Sequence, residues 1–184
     1  MNLLTQIEDF ARQAHGSQRR KFADEPYIHH PVRVMKICQE FTSALPVLSA
    51  ALLHDVLEDT EVPRDQLSDF LHQVMPSADA IRTLELTIEL TDIYIKRDFP
   101  QLNRRKRKQK EAERLSQISS EGQTVKYADI IDNANDILTA DADFVPVFLH
   151  ECRRLLHVMS AGDPVLRQRA QEIVEKQLAV HKRS

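Results

Sequence analysis

The stretch Ala50-Ala51-Leu52-Leu53-His54-Asp55-Val56-Leu57-Glu58-Asp59-Thr60 constrains this chain more than any other, because an apolar helical turn runs directly into four ionisable groups. On a helix His54 and Glu58 lie one turn apart on one face, with Asp55 and Asp59 one turn apart on the next. Beside Leu52, Leu53 and Leu57, such groups would each cost roughly several kcal/mol if buried without partners. A divalent ion removes that cost. Imidazole with carboxylate oxygens, and no thiolate, suits manganese, iron, magnesium or zinc. The competing reading is an amphipathic helix whose last turn is solvated and whose His54 is a hydrogen-bonded core histidine.

A chain of 184 residues fits one domain, and it is long enough to bury a core without disulfides. With 5% aromatic residues and only 3 Gly, it leans toward an all-α fold and away from sandwiches and barrels. No apolar run reaches the length of a membrane span and the N-terminus lacks a signal-peptide pattern, so a cytoplasmic protein with no membrane partner is expected. Cys38 and Cys152 form no Cys-x-x-Cys and read as buried thiols in a reducing compartment. A net charge of −3 argues against a general nucleic-acid binder.

The hydrophobic spacing predicts a single helical bundle of about eight to nine helices. The first runs from about Leu3 to His15, burying Leu4, Ile7, Phe10 or Ala11, and Ala14, and Gly16 stops it. Residues 17–30 are polar and irregular and read as a loop. His30 falls near the N-cap of a helix from Pro31 to about Glu40, so both His29 and His30 are candidate ligands, with surface capping as the alternative. A helix from Pro46 to about Leu57 carries the central stretch. Helices over Pro63–Val74 and Pro76–Leu90 follow, the second burying Ile81, Leu84 and Ile88.

The charge then changes abruptly, with nine Lys or Arg against three Asp or Glu over residues 96–114. Such a run would attract phosphates, form a nucleic-acid patch, or simply be a solvated helix face; without interleaved aromatics the nucleic-acid reading is the weakest. A helix over Gln123–Leu138 buries Val125, Ala128, Ile131 and Leu138, while Asp129, Asn133 and Asp136 share one face. Asp129 is a candidate to complete a metal site and Asn133 to orient a ligand or its neighbour; a solvent-facing stripe is the alternative. Helices over Phe144–Ser160 and Pro164–Val180 close the chain.

Four segments together resemble one known family. Gln18-Arg19-Arg20-Lys21, Pro26-Tyr27-Ile28-His29-His30-Pro31, the Ala50–Thr60 stretch and Val125-Lys126-Tyr127-Ala128-Asp129-Ile130-Ile131-Asp132-Asn133 are similar to the motifs of Rel/Spo-type alarmone hydrolase domains, within the HD phosphohydrolase superfamily. The resemblance implies that His30, His54, Asp55 and Asp129 hold one manganese ion. It implies that Glu58 and Asp59 handle the attacking water, that Arg20 and Lys21 pack against a purine base, and that Asn133 lies near the sugar. The expected reaction is hydrolysis of the 3′-pyrophosphate of guanosine tetra- or pentaphosphate, a small-molecule purine alarmone nucleotide.

Two departures from the family bear on this. Phe22-Ala23-Asp24 replaces a short Ser-Gly type linker and leaves guanine against adenine preference open, and Asp136 and the residues after it do not match closely. The alternatives are hydrolysis of adenosine alarmones or of another phosphorylated nucleotide, a catalytically silent alarmone-binding regulator, and a nucleic-acid module built on residues 96–114. A homo-oligomer remains open.

Overall fold

The computed structural model describes residues 2–137 and 140–181, and the regular structure in them is helical. Ten helices follow one another: α1 (Leu3–His15), α2 (His29–Gln39), α3 (Leu45–Leu53), α4 (Val56–Asp59), α5 (Arg64–Val74), α6 (Ser77–Leu90), α7 (Arg104–Leu115), α8 (Ser120–Asp136), α9 (Phe144–Val158) and α10 (Pro164–His181). They form two compact units, Met1–Thr91 and Asp92–Ser184. Among the described residues no helix is long and apolar enough to cross a membrane.

In the first unit α3 is the centre. Every residue from Val47 to Leu53 is buried, so the helix is enclosed on all sides by α1, α2 and α6. The expected helix to Leu57 breaks at His54 and Asp55 and resumes as the single turn α4, although both residues keep right-handed helical backbone angles. Asp59 N–H still reaches the Asp55 carbonyl at 2.9 Å, so the one-turn spacing of the two aspartates survives. In α1 the wholly buried apolar residues are Ile7 and Ala11, while Phe10 stacks at the margin on Phe70 with ring centroids 4.1 Å apart.

The face of α6 differs from the expectation. Ile81 is exposed and Leu84 and Ile88 are half-buried, while Ala80, Thr83, Leu86, Thr87 and Leu90 form the buried stripe. The physical reason is that threonine can satisfy its own hydroxyl inside a helix. Thr87 Oγ1 donates to the Thr83 carbonyl at 2.9 Å and Thr83 Oγ1 to Met75 Sδ at 3.6 Å, so both enter the core with their polar atoms bonded.

In the second unit α8 is the enclosed element, packed by α10 and α9. Val125, Ala128 and Ile131 are buried as expected, whereas Leu138 lies outside the described residues. The fully buried Tyr127 donates its hydroxyl to the Met159 carbonyl at 2.9 Å. Gly162 approaches that ring so closely that an added Cβ would lie 2.6 Å from Tyr127 Cε2 and 2.8 Å from Thr124 N.

Three cations of the basic run are neutralised within this unit. Arg104 forms a two-pronged pair with Glu151 at 2.9 and 2.7 Å, Lys108 meets Asp92 at 2.9 Å, and Arg114 meets the buried Glu111 at 2.5 Å. Glu111 also accepts the backbone N–H groups of Ile93 and Tyr94, at 3.1 and 2.9 Å, and so fastens the start of the 92–103 segment to α7. Paired this way, Arg104, Lys108 and Arg114 act as struts within the unit.

Candidate metal centre

The segment between α1 and α2 is a tight excursion. Gly16, at φ 53°, ends α1 in a backbone conformation open to glycine. Tyr27 N–H then donates to the Gln18 carbonyl at 2.9 Å and Arg20 N–H to the Glu25 carbonyl at 3.1 Å, closing residues 18–27 into a loop in which Arg20 is half-buried and Lys21 exposed. Arg33 of α2 holds this loop through Glu25 at 2.7 Å. Helix α2 begins at His29, one residue before the expected N-cap, so His30 lies in its first turn and is buried, while His29 faces outward toward Glu25 at 3.2 Å.

His30, His54 and Asp55 come together at the end of α3, each offering one ligand atom, with these atoms all within 4.8 Å of one another. His54 Nε2 lies 3.1 Å and His30 Nε2 3.6 Å from Asp55 Oδ2, and the two rings meet edge to face at 5.1 Å. His54 Nδ1 is 2.9 Å from the Ala51 carbonyl, which can only accept, so the ring proton sits on Nδ1. In a neutral ring the Nε2 lone pair then faces the Asp55 oxygen. Two electron-rich atoms at that separation need positive charge between or upon them, and this donor set fits a divalent ion bound by imidazole and carboxylate.

Asp59 joins the cluster through Tyr27, whose hydroxyl lies 2.7 Å from Asp55 Oδ2 and 2.9 Å from Asp59 Oδ2. Burial, followed by the charges of Asp55 and Asp59, pushes the Tyr27 phenol well above its ordinary range, so it stays a donor. Asp59 is exposed as a residue, but desolvation of its carboxyl and then the neighbouring Asp55 charge raise its pKa above the usual carboxylate value. Glu58 is exposed on the same turn. His15 stacks on the Tyr27 ring at 4.5 Å and is held by Gln18 Oε1 at 2.9 Å. The Arg20 guanidinium lies 5.6 Å from the Tyr27 ring centre, and Lys21 Nζ lies 5.1 Å from that of Phe22.

In the second unit α8 places Asp129 and Asn133 one turn apart. Asp129 is buried and accepts from Asn133 Nδ2 at 2.5 Å, with Lys126 Nζ 2.9 Å from its other oxygen. A carboxylate held on both oxygens is oriented as well as charged. Sequence reasoning assigned no role to Tyr27, His15 or Lys126. Tyr27 and Lys126 stood inside quoted motifs, yet what each side chain touches is set by the fold.

A helical protein that gathers two histidines and an Asp of the adjacent His-Asp pair has the architecture of a metal-dependent phosphohydrolase. The sequence pattern of the HD domain family matches residues 27–134, and the chain belongs to that family. Within it, the chain is 35% identical over 137 residues to the mouse and human proteins named guanosine-3′,5′-bis(diphosphate) 3′-pyrophosphohydrolase MESH1, covering 73% of this chain and 69% of theirs. It is 43% identical over 76 residues to the Vibrio cholerae guanosine-3′,5′-bis(diphosphate) 3′-pyrophosphohydrolase, covering 41% of this chain and 11% of that longer one. Its fold matches a solved metazoan ortholog of SpoT with a TM-score of 0.80 at 23% identity, over 96% of both chains.

Proposed function

We propose that this protein hydrolyses the 3′-pyrophosphate of guanosine tetra- or pentaphosphate, the nucleotides of the stringent response, using one manganese ion. The observation that carries the reading is the approach of His54 Nε2 and His30 Nε2 to one oxygen of Asp55, with Asp59 tied to that same oxygen through Tyr27. Membership of the HD family and the names of its relatives support the substrate class.

In this reading His30, His54 and Asp55 hold the ion, with Asp129 as the fourth ligand assigned from sequence. A divalent ion there supplies a Lewis acid that lowers the pKa of water and offsets phosphate charge. Glu58 and Asp59 orient the attacking water and take its proton. The water oxygen bonds to the phosphorus attached to the 3′ oxygen, that P–O bond breaks, and the 3′ oxygen takes up a proton as pyrophosphate leaves. Arg20 and Lys21 pack against the base by cation–π contact, and Asn133 stands near the sugar. The gathered His30, His54 and Asp55 and the acidic pair favour a working enzyme over a silent alarmone sensor. The same reading places the protein in the reducing cytoplasm, where the buried thiols of Cys38 and Cys152 stay reduced.

The test is Asp55→Ala. The wild type should bind manganese stoichiometrically and release pyrophosphate, and the variant should lose both. A variant that keeps full metal content and full turnover places the chemistry elsewhere.

A further inference from the structure

Tyr27 has one hydroxyl proton and two carboxylate neighbours. Its oxygen is 2.7 Å from Asp55 Oδ2, the oxygen that faces both imidazoles, and 2.9 Å from Asp59 Oδ2. One hydroxyl therefore touches both the atom assigned to the ion and the carboxylate assigned to the water. The ring is itself fixed, stacked by His15 at 4.5 Å and met edge-on by His30 at 5.9 Å, with Arg20 at 5.6 Å from its centre. A rigid aromatic anchor with its polar tip on two acids holds them in one geometry, where flexible acids would repel each other apart.

We propose that Tyr27 is a positioning residue for the reaction assigned above, its hydroxyl setting the ligand oxygen of Asp55 and the carboxylate of Asp59 at a fixed separation. The inference rests on that functional reading for its effect on turnover, and on geometry alone for its effect on metal binding. The hydroxyl acts on the acids and the ring on Arg20, so the two parts separate. Tyr27→Phe keeps the ring contacts and deletes only the hydroxyl.

Metal-stripped wild type and Tyr27→Phe are titrated with manganese, followed by electron paramagnetic resonance, and then assayed for pyrophosphate release at saturating manganese. Thermal melts of both proteins establish that the variant is folded at the assay temperature. The expected result is manganese binding weakened by about tenfold and kcat lowered by about 10- to 100-fold, the range for groups that orient metal ligands, with KM within about twofold. In an Asp59→Asn background the kcat effect should shrink, because the two residues act as one unit.

Manganese affinity and kcat both within twofold of wild type would overturn the assignment. So would a raised KM at unchanged kcat, which gives Tyr27 to substrate binding through Arg20. If the wild type itself releases no pyrophosphate, the functional reading fails and the manganese titration alone decides Tyr27: weakened binding supports the positioning role, and equal binding ends it.

Discussion

His54 donates its Nδ1 proton to the carbonyl of Ala51, 2.9 Å away and one turn back on α3. That bond fixes the tautomer and the ring plane together, with Nε2 toward Asp55 Oδ2 at 3.1 Å. The ligand is thus preorganised by the most deeply buried helix of its unit. Metal affinity here is coupled to the stability of α3.

Metal should therefore stabilise the fold. At a free manganese concentration about 100 times Kd, linkage gives about 2.7 kcal/mol. For a chain of this size that is roughly 5–10 °C in Tm. Calorimetric melts with manganese and after chelation measure it, and His54→Ala should abolish the difference. Equal melting temperatures with and without metal would contradict the site.

Asp59 has a folded-state pKa above its ordinary value, from burial and from the charge of Asp55. The folded, metal-free protein then binds this proton more tightly than the unfolded chain does. Its contribution is most favourable below the ordinary carboxylate pKa and is lost as pH rises through the interval up to the raised value. Asp59→Asn should remove that dependence and raise the metal-free Tm at neutral pH, while lowering turnover. A lower Tm for the variant would show that Asp59 is a net stabiliser.

Glu58 lies on the same turn as Asp59 and is exposed. Glu58→Gln should leave the melting temperature and metal content unchanged and reduce kcat by about 10²- to 10⁴-fold, the usual worth of a positioned base. Steady-state kinetics with metal analysis on the same sample would show it. Unchanged turnover removes Glu58 from the mechanism.

How far the sequence disclosed this site depends on how local each contact is. His54, Asp55, Glu58 and Asp59 sit within six consecutive residues, and helix geometry survives the break between α3 and α4 well enough for the spacing to hold. The Tyr27 bridge joins residues 28 and 32 positions apart in the chain, which periodicity cannot reveal. The break at His54 and Asp55 carries no proline or glycine to announce it. The excess of charge over residues 96–114 was plain, but its neutralisation by Glu151, Asp92 and Glu111 depends on partners brought in by folding. On α6 the buried face was misjudged because Thr83 and Thr87 count as polar until their hydroxyls are seen to be bonded.

Gly162 tests the packing of the second unit. An alanine methyl would press on Tyr127 Cε2 and on the Thr124 backbone nitrogen, and neither can yield freely, since the Tyr127 hydroxyl is anchored on the Met159 carbonyl. Gly162→Ala should cost about 1–3 kcal/mol, as overpacking does. Chemical denaturation would give the value, and a neutral result would mean the Met159–Asp163 turn shifts without penalty.

Pyrophosphate release by the manganese-loaded protein measures the proposed reaction itself. Guanosine tetraphosphate, its adenosine counterpart and guanosine 5′-diphosphate are offered side by side. One pyrophosphate is expected per guanosine tetraphosphate consumed and none from guanosine 5′-diphosphate, which has no 3′ group to lose. Equal release from the adenosine compound would widen the substrate class to purine alarmones. No release from either alarmone, with manganese confirmed in the protein, would contradict the account.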